Sequence, residues 1–406
     1  MKSLWYSPTL RGALVYGASG LGFAGANLIL ARVLPTSEYA VFTLVIALVN
    51  LAFALAPLGI DGMVNRRHLE AGPQLLKRTL VGGLATGLVF IAIGAFAYDL
   101  DTALLFLIFV STVAGGAMLV AGSQFQSEQR YGISLALTQS PNLALLAAAL
   151  AAVVAREKTA GIPLLIGSAG FLLAGLYGWW RLFQEREAKT ARGSEFPWSE
   201  ALSYAGLNAA GLVLVQLDRL VIPQVLPLQD LATFGVLAAI VGSWFRVLFM
   251  GVGYTLVPRL RAAAGVLERR RLIAHEAKLV GAIVVIGSIV IWFATPPVER
   301  LFLGGKYHLT GALVLAAIFS GVAKIANAFT KSTVAALAIP SELALVNVLG
   351  WVAVALAIPL AVIGARWGLV GVIYGVGMGW LLRALSALFL IFRHLRVPAA
   401  VPVTSP

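Results

Sequence analysis

The chain contains no cysteine, so it has neither a disulfide framework nor a thiolate metal site. Histidine is scarce as well: four scattered residues make no ligand cluster, and neither metal nor cofactor is expected. Charge is the next shortage. Only 12% of the 406 residues are charged, against roughly 25% in a soluble domain. Acids are rarest, 17 against 30 Lys and Arg. With 60% hydrophobic residues, the chain offers a dozen apolar runs of about 20 residues, the length needed to cross a bilayer. These take up about 240 positions and leave about 166 for tails and connections, too few for a sizeable extramembrane domain. That arithmetic disfavours a nucleotide-driven pump or a glycosyltransferase with a folded sugar-nucleotide domain, and it places any mechanism between helices. The formal charge of +13 would point to nucleic acid in a soluble chain. Here it reflects cationic loops held on the cytoplasmic side of a membrane, and no nucleic-acid partner is expected.

Apolar runs bounded by charged or Pro/Gly-rich stretches predict helices over 9–32, 40–60, 78–98, 102–123, 132–155 and 161–183. After a polar segment, 184–200, six more follow over 200–223, 230–256, 276–295, 310–330, 341–363 and 368–392. The expected fold is all-α and polytopic, with twelve transmembrane helices in two six-helix bundles, 1–196 and 197–406. With the amino terminus placed in the cytoplasm, the even connections and both tails carry 20 Lys and Arg, and the opposite side carries 6. A bias of that size supports a multi-pass cell-membrane protein with both termini cytoplasmic. Lys2 and Arg11 ahead of an apolar run superficially resemble a signal peptide, but an internal repeat implies that this segment is retained.

The repeat appears at an offset of 192 residues. Val33-Leu34-Pro35-Thr36-Ser37-Glu38-Tyr39-Ala40-Val41-Phe42 aligns with Val225-Leu226-Pro227-Leu228-Gln229-Asp230-Leu231-Ala232-Thr233-Phe234, and Gly59 and Arg67 align with Gly251 and Arg259. Six helices separate the copies, an even number, so the halves share one topology and should be related by rotation about the membrane normal. A ligand site is then expected between them.

Four cations fall inside predicted spans: Arg219, Arg246, Lys324 and Arg383. The last three lie about 14 to 16 residues from the outer ends of their helices, some 21 to 24 Å at roughly 1.5 Å per residue. Each would cost about 2.5 to 3.5 kcal/mol at a helix centre, and those three helices hold no interior acid. One reading has them line a wet cavity and bind an anion, with Arg suited to bidentate phosphate contacts. The other has them snorkel to the inner headgroups. Lys324, Asn327 and Lys331 share a helical stripe, and Asn327 and Arg219 complete the candidate substrate-binding set. Asp218 has three readings: balancing a cavity cation, coupling a proton or sodium ion, or anchoring a helix end.

Other patterns carry no chemistry. Gly20-Leu21-Gly22-Phe23-Ala24-Gly25 fits a dinucleotide fingerprint but lies inside an apolar span with no preceding strand. Gly371, Gly375 and Gly379 predict close helix packing. His275-Glu276 lacks the second histidine of a zinc motif, and no serine, histidine and acid set stands out, so no enzymatic centre is expected.

Ala31-Arg32-Val33-Leu34, Glu38-Tyr39-Ala40-Val41-Phe42, Leu58-Gly59-Ile60-Asp61 and Arg66-Arg67 resemble the first helical hairpin of polysaccharide flippases, the O-antigen flippase-like branch of the multidrug/oligosaccharidyl-lipid/polysaccharide exporter superfamily. Asp218-Arg219-Leu220-Val221-Ile222 and Leu231-Ala232-Thr233-Phe234-Gly235 are similar to the segment that opens that family's second bundle. Sharp matches cover two stretches of about forty residues each; Ala40 departs from the usual pattern, and the chain is short for the family. The resemblance implies a flippase in the bacterial inner membrane. It would move a polyprenyl-(pyro)phosphate-linked oligosaccharide by alternating access for exopolysaccharide or lipopolysaccharide biosynthesis, with membrane lipids and other glycan-assembly membrane proteins as partners. The alternatives are a drug or anionic-metabolite exporter of the same superfamily, a membrane glycan polymerase or ligase, which would need a longer outer loop, and a non-transporting scaffold.

Overall fold

The computed structural model describes residues 8–67, 69–185, 196–245 and 265–396, and, within 246–264, residues 248, 256, 257, 259, 260 and 263. Among them there is no strand, as expected for a chain whose apolar runs are too long and too unbroken for sheet. The helices are α1 (Pro8–Val33), α2 (Thr36–Leu55), α3 (Ile60–Arg67), α4 (Pro73–Tyr98), α5 (Thr102–Ser127), α6 (Tyr131–Ala155), α7 (Gly161–Gln184), α8 (Trp198–Val225), α9 (Leu228–Leu237), α10 (Val266–Leu303), α11 (Gly311–Leu337), α12 (Pro340–Gly364) and α13 (Gly368–Arg396). Each of the twelve predicted spans has a helical counterpart among the described residues, the eighth, expected over 230–256, only as far as Phe245, since most of 246–256 lies outside them. Ten described segments are long and apolar enough to cross a membrane, the last of which, 341–395, comprises both α12 and α13.

The spans form two groups of six. In the first, α1 packs on α6, α4 on α5, and α7 on both α5 and α6; in the second, α13 packs on α11 and α12, and α8 on α12 and α13. α2 joins the groups by lying against α8 and α9.

The repeat has a structural counterpart. α1 ends at Val33 and α2 begins at Thr36; α8 ends at Val225 and α9 begins at Leu228, so the register of 192 is kept at both boundaries. The cause is local. Pro35 (φ −52°) and Pro227 (φ −56°) sit in extended geometry just before each second helix. Proline disfavours helical geometry in the residue before it and presets the first turn of the helix after it.

Three boundaries depart from expectation. The second span breaks at 56–59 and resumes as α3, where Gly59 takes φ +84° and a Cβ would lie 1.9 Å from the Ala201 carbonyl oxygen. Only glycine allows α8 this close. The ninth span, expected over 276–295, belongs to a helix of 38 residues, because charged residues 268–278 continue helical beyond the apolar run. The tenth extends to Leu337, so Lys331 is helical.

Gly371, Gly375 and Gly379 pack as expected: each presses against the α12 backbone or Ala357, with ideal Cβ positions 2.0 to 2.6 Å from Gly364, Ala361 and Ala357. The glycine-rich 20–25 segment lies inside α1.

Candidate functional site

The two bundles have chemically different interiors. In the first, Pro141 stands inside α6 and withholds the N–H that Leu137 would accept. The Ser140 hydroxyl donates to that carbonyl instead, at 2.7 Å. Beside this break, Ser19 Oγ donates to Gln139 Oε1 at 2.7 Å, and Asn142 Nδ2 donates to Ser19 Oγ at 2.7 Å. Ser111 and Ser168 share a hydrogen bond of 2.8 Å across α5 and α7. Asn50, Ser111, Asn142 and Ser168 open onto one pocket whose other walls are apolar, with no charged residue among them. The sequence reading missed this group. Its signal was uncharged polar residues one helical turn apart, Gln139 and Asn142, inside an otherwise apolar span.

The second interior is ionic. Asp218 on α8 is buried, and its Oδ2 lies 3.7 Å from Lys324 Nζ on α11. The ammonium also sits 5.9 Å from the Trp380 ring centroid. Four buried polar atoms of these three helices, Asp218 Oδ1, Ser320 Oγ, Asn327 Oδ1 and Trp380 Nε1, make no hydrogen bond. α11 thus directs Lys324 toward α8 and α13.

Arg383 lies one helical turn from Trp380 on α13 and is only 3% exposed. It does not reach for lipid headgroups. A Cβ on Gly211 of α8 would stand 2.9 Å from its Nη1, and one on Gly350 of α12 would stand 3.3 Å from its Nε. Two glycines thus flank the guanidinium, which has no hydrogen-bond or ion-pair partner among the described residues.

Asp218 and Arg219, adjacent and therefore about 100° apart on the helix, diverge. Arg219 Nη1 donates to Gln216 Oε1 at 3.0 Å. Arg246 lies outside the described residues. The expected set is therefore divided. Lys324 and Asp218 come together, with Asn327 one turn from Lys324 on the same helix, Arg383 occupies a slot of its own in the same bundle, and Arg219 bonds to Gln216. The absence of a neutralising acid holds only for the helices that carry the cations, since Asp218 reaches Lys324 from α8.

Both ends of the seam between the bundles are tied. At the cation-rich end, Arg66 (3.2 Å) and Arg67 pair with Glu200, and Arg66 Nη1 donates to the Tyr204 hydroxyl at 3.0 Å. At the other end, Lys306 donates to the carbonyls of Ala31, at 2.9 Å, and Leu34. There too, Tyr98 donates to the Leu220 carbonyl at 2.9 Å.

No protein-family model matches the chain. A search of curated proteins finds no match in sequence. Solved structures do match. An inward-facing multidrug resistance MATE family transporter of the MOP superfamily aligns over 94% of this chain and 98% of its own, with TM-score 0.65 and 12% identity. The fold is that of the MATE transporters. The eukaryotic MATE transporter AtDTX14 aligns over 94% of this chain and 95% of its own, with TM-score 0.59 and 10% identity. A MOP superfamily transporter from Pyrococcus furiosus, whose reversed binding-pocket polarity is described as suggesting a different function, aligns over 95% of both chains, with TM-score 0.52 and 12% identity. This MATE-like fold places the chain among multi-pass membrane architectures built from two six-helix bundles.

Proposed function

We propose that the protein is an alternating-access carrier that exports an organic anion. The observation that carries this reading is the charge inside the second bundle: Lys324 and Arg383, with Lys331 at its edge, stand against Asp218, since the other buried acid among the described residues, Glu276, is paired with Arg259. An excess of cations within membrane-spanning helices favours a site that an anion completes. A carrier of organic cations would present acids instead. The Pyrococcus furiosus neighbour supports the idea that this fold tolerates a change of pocket sign. Two halves of like topology, 1–196 and 197–406, suit a mechanism in which one rocks against the other. The Lys/Arg bias favours cytoplasmic termini, which reporter fusions at each end would test.

A second reading is translocation of a polyprenyl-pyrophosphate-linked oligosaccharide. It rests on the flippase-like residues of 31–67 and 218–235. In that case a lipid-linked oligosaccharide is the partner, and the candidate substrate contacts are Arg246, Lys324, Arg383, Arg219 and Asn327.

Proteoliposomes decide between the two. Efflux of carboxyfluorescein, reduced by Lys324→Gln and Arg383→Gln, supports the anion exporter. Flipping of a fluorescent polyprenyl-pyrophosphate glycan without dye efflux supports the second reading. Transport of neither by folded protein overturns both.

A further inference from the structure

α10 is the span that the rest of the protein covers least: 17% of its crossing window is buried, against 33% or more for the other described spans. It rests on α11, on α1 and on 238–242. Its depth in a bilayer follows from its charges. Residues 279–298 are twenty positions without Asp, Glu, Lys or Arg, about 30 Å of helix, which matches the thickness of the hydrocarbon. Lys278 therefore stands at the hydrocarbon edge on the cation-rich side. Ala274 is about 6 Å and Arg271 about 10 Å farther out, where headgroups add about 5 to 8 Å to each face of the bilayer.

Helical phase aligns these residues. At about 100° per residue, Arg271, Ala274 and Lys278 lie on one stripe, and Gly281, Val285 and Ile289 continue it into the hydrocarbon. All six are exposed. Glu276 points the other way, buried and paired with Arg259. Glu268 lies about 60° to the side of Arg271 and has an interaction of its own. Arg270 is committed to the Leu395 carbonyl at the end of α13. Arg271 and Lys278 remain as two outward cations with no hydrogen-bond or ion-pair partner among the described residues, on a stripe that holds no acid.

A phosphodiester suits this arrangement. Arg271 from the water side and Lys278 from the hydrocarbon side both reach a phosphate lying over the small Ala274. An acyl chain attached to it would run down past Gly281, Val285 and Ile289. A headgroup that carries its own ammonium, choline or ethanolamine, finds no carboxylate on the stripe to pair with. A glycerol headgroup, with net negative charge, needs none.

We propose that Arg271 and Lys278 form a docking site on α10 for an anionic diacyl phospholipid of the surrounding leaflet, its phosphate over Ala274. This lipid is a resident of the membrane and not cargo, so the inference goes beyond the carrier reading and does not depend on it.

The test is native mass spectrometry of the full chain in detergent, titrated with dioleoyl phosphatidylglycerol or dioleoyl phosphatidylcholine. Each Lys or Arg beside an anionic lipid is worth about fivefold in affinity, so phosphatidylglycerol should bind about 10- to 30-fold more tightly than phosphatidylcholine. Arg271→Gln and Lys278→Gln should each weaken phosphatidylglycerol binding about fivefold and leave phosphatidylcholine unchanged. The double variant should show no preference. Ala274→Phe keeps every charge but fills the gap between the cations, and should cost as much affinity for phosphatidylglycerol as losing one of them. Lys158→Gln, which removes an exposed cation of the α6–α7 connection, should keep the full preference. All these positions are exposed, so each variant should unfold at the parent's temperature in neutral lipid.

Equal affinity of the parent protein for the two lipids overturns the proposal. So does a preference that survives in the double variant, which would put the lipid elsewhere. A preference that Lys158→Gln reduces as much as Lys278→Gln also overturns it, because net charge and not this stripe would then attract the lipid.

Discussion

Lys324 of α11 and Asp218 of α8 face each other at 3.7 Å, with the carboxylate side chain 2% exposed and the ammonium side chain 27% exposed. The acid is the more deeply buried partner, so it depends more on the pair. Lys324→Met should therefore destabilise the protein by about 3 to 5 kcal/mol, and Asp218→Asn by less. The double variant should recover most of the loss. Unfolding curves in detergent for the four proteins of this cycle measure the coupling, and additive losses would show that the two side chains do not interact.

Gly59 joins α2 to α3 at φ +84°, with the Ala201 carbonyl oxygen 1.9 Å from the position of a Cβ. Gly59→Ala combines a left-handed backbone with a clash against another backbone, neither of which a rotamer change relieves. A loss of about 3 to 5 kcal/mol follows. It would be read as a lower unfolding temperature and a smaller yield of monodisperse protein; parent-like stability would mean that α8 does not approach this turn.

Lys306 ties the end of α1 to the second bundle through the carbonyls of Ala31 and Leu34. A cation at a helix C-terminus interacts favourably with its free carbonyls, and Lys306→Met should cost about 1 to 2 kcal/mol. Because the chain has no cysteine, Arg32→Cys and His308→Cys give a clean pair of spin-label sites. The distance distribution between them should lengthen in Lys306→Met. No change would remove Lys306 as a tie between the bundles.

Outside the spans, Glu185 accepts hydrogen bonds from Arg130 and Arg181, which lower its pKa to about 2. Because the folded-state value lies below the ordinary 4.5, this carboxylate contributes stability above pH 4.5 that fades as pH falls toward 2. Hydrogen exchange of residues 128–131 should rise across that interval. In Glu185→Gln it should already be raised at pH 7 and show no such acid transition.

Helix number, the break at Val33-Leu34-Pro35 and its copy at Val225-Leu226-Pro227 were legible because apolar run length and proline geometry act locally. The glycine face of α13 was legible for the same reason, since a four-residue spacing is a property of one helix. The partner of Lys324 was not. Asp218 stood out, but three roles were open to it until the reach of Lys324 toward its carboxylate from another helix decided its neighbour. The slot around Arg383 was hidden altogether: Gly211 and Gly350 lie on two other helices, and in sequence a glycine that makes room for a side chain looks like any other. The uncharged pocket of the first bundle escaped because Ser, Asn and Gln are cheap enough in a helix to draw no notice until their hydrogen bonds are seen.

α10 runs unbroken for 38 residues, about 57 Å at roughly 1.5 Å per residue, nearly twice the thickness of a hydrocarbon slab about 30 Å deep. Its first turns, 268–278, carry Glu268, Arg269, Arg270, Arg271, His275, Glu276 and Lys278, residues that belong in water or among headgroups. A rod with no joint at the membrane surface behaves as a handle: torque applied to the wet end arrives at the buried end.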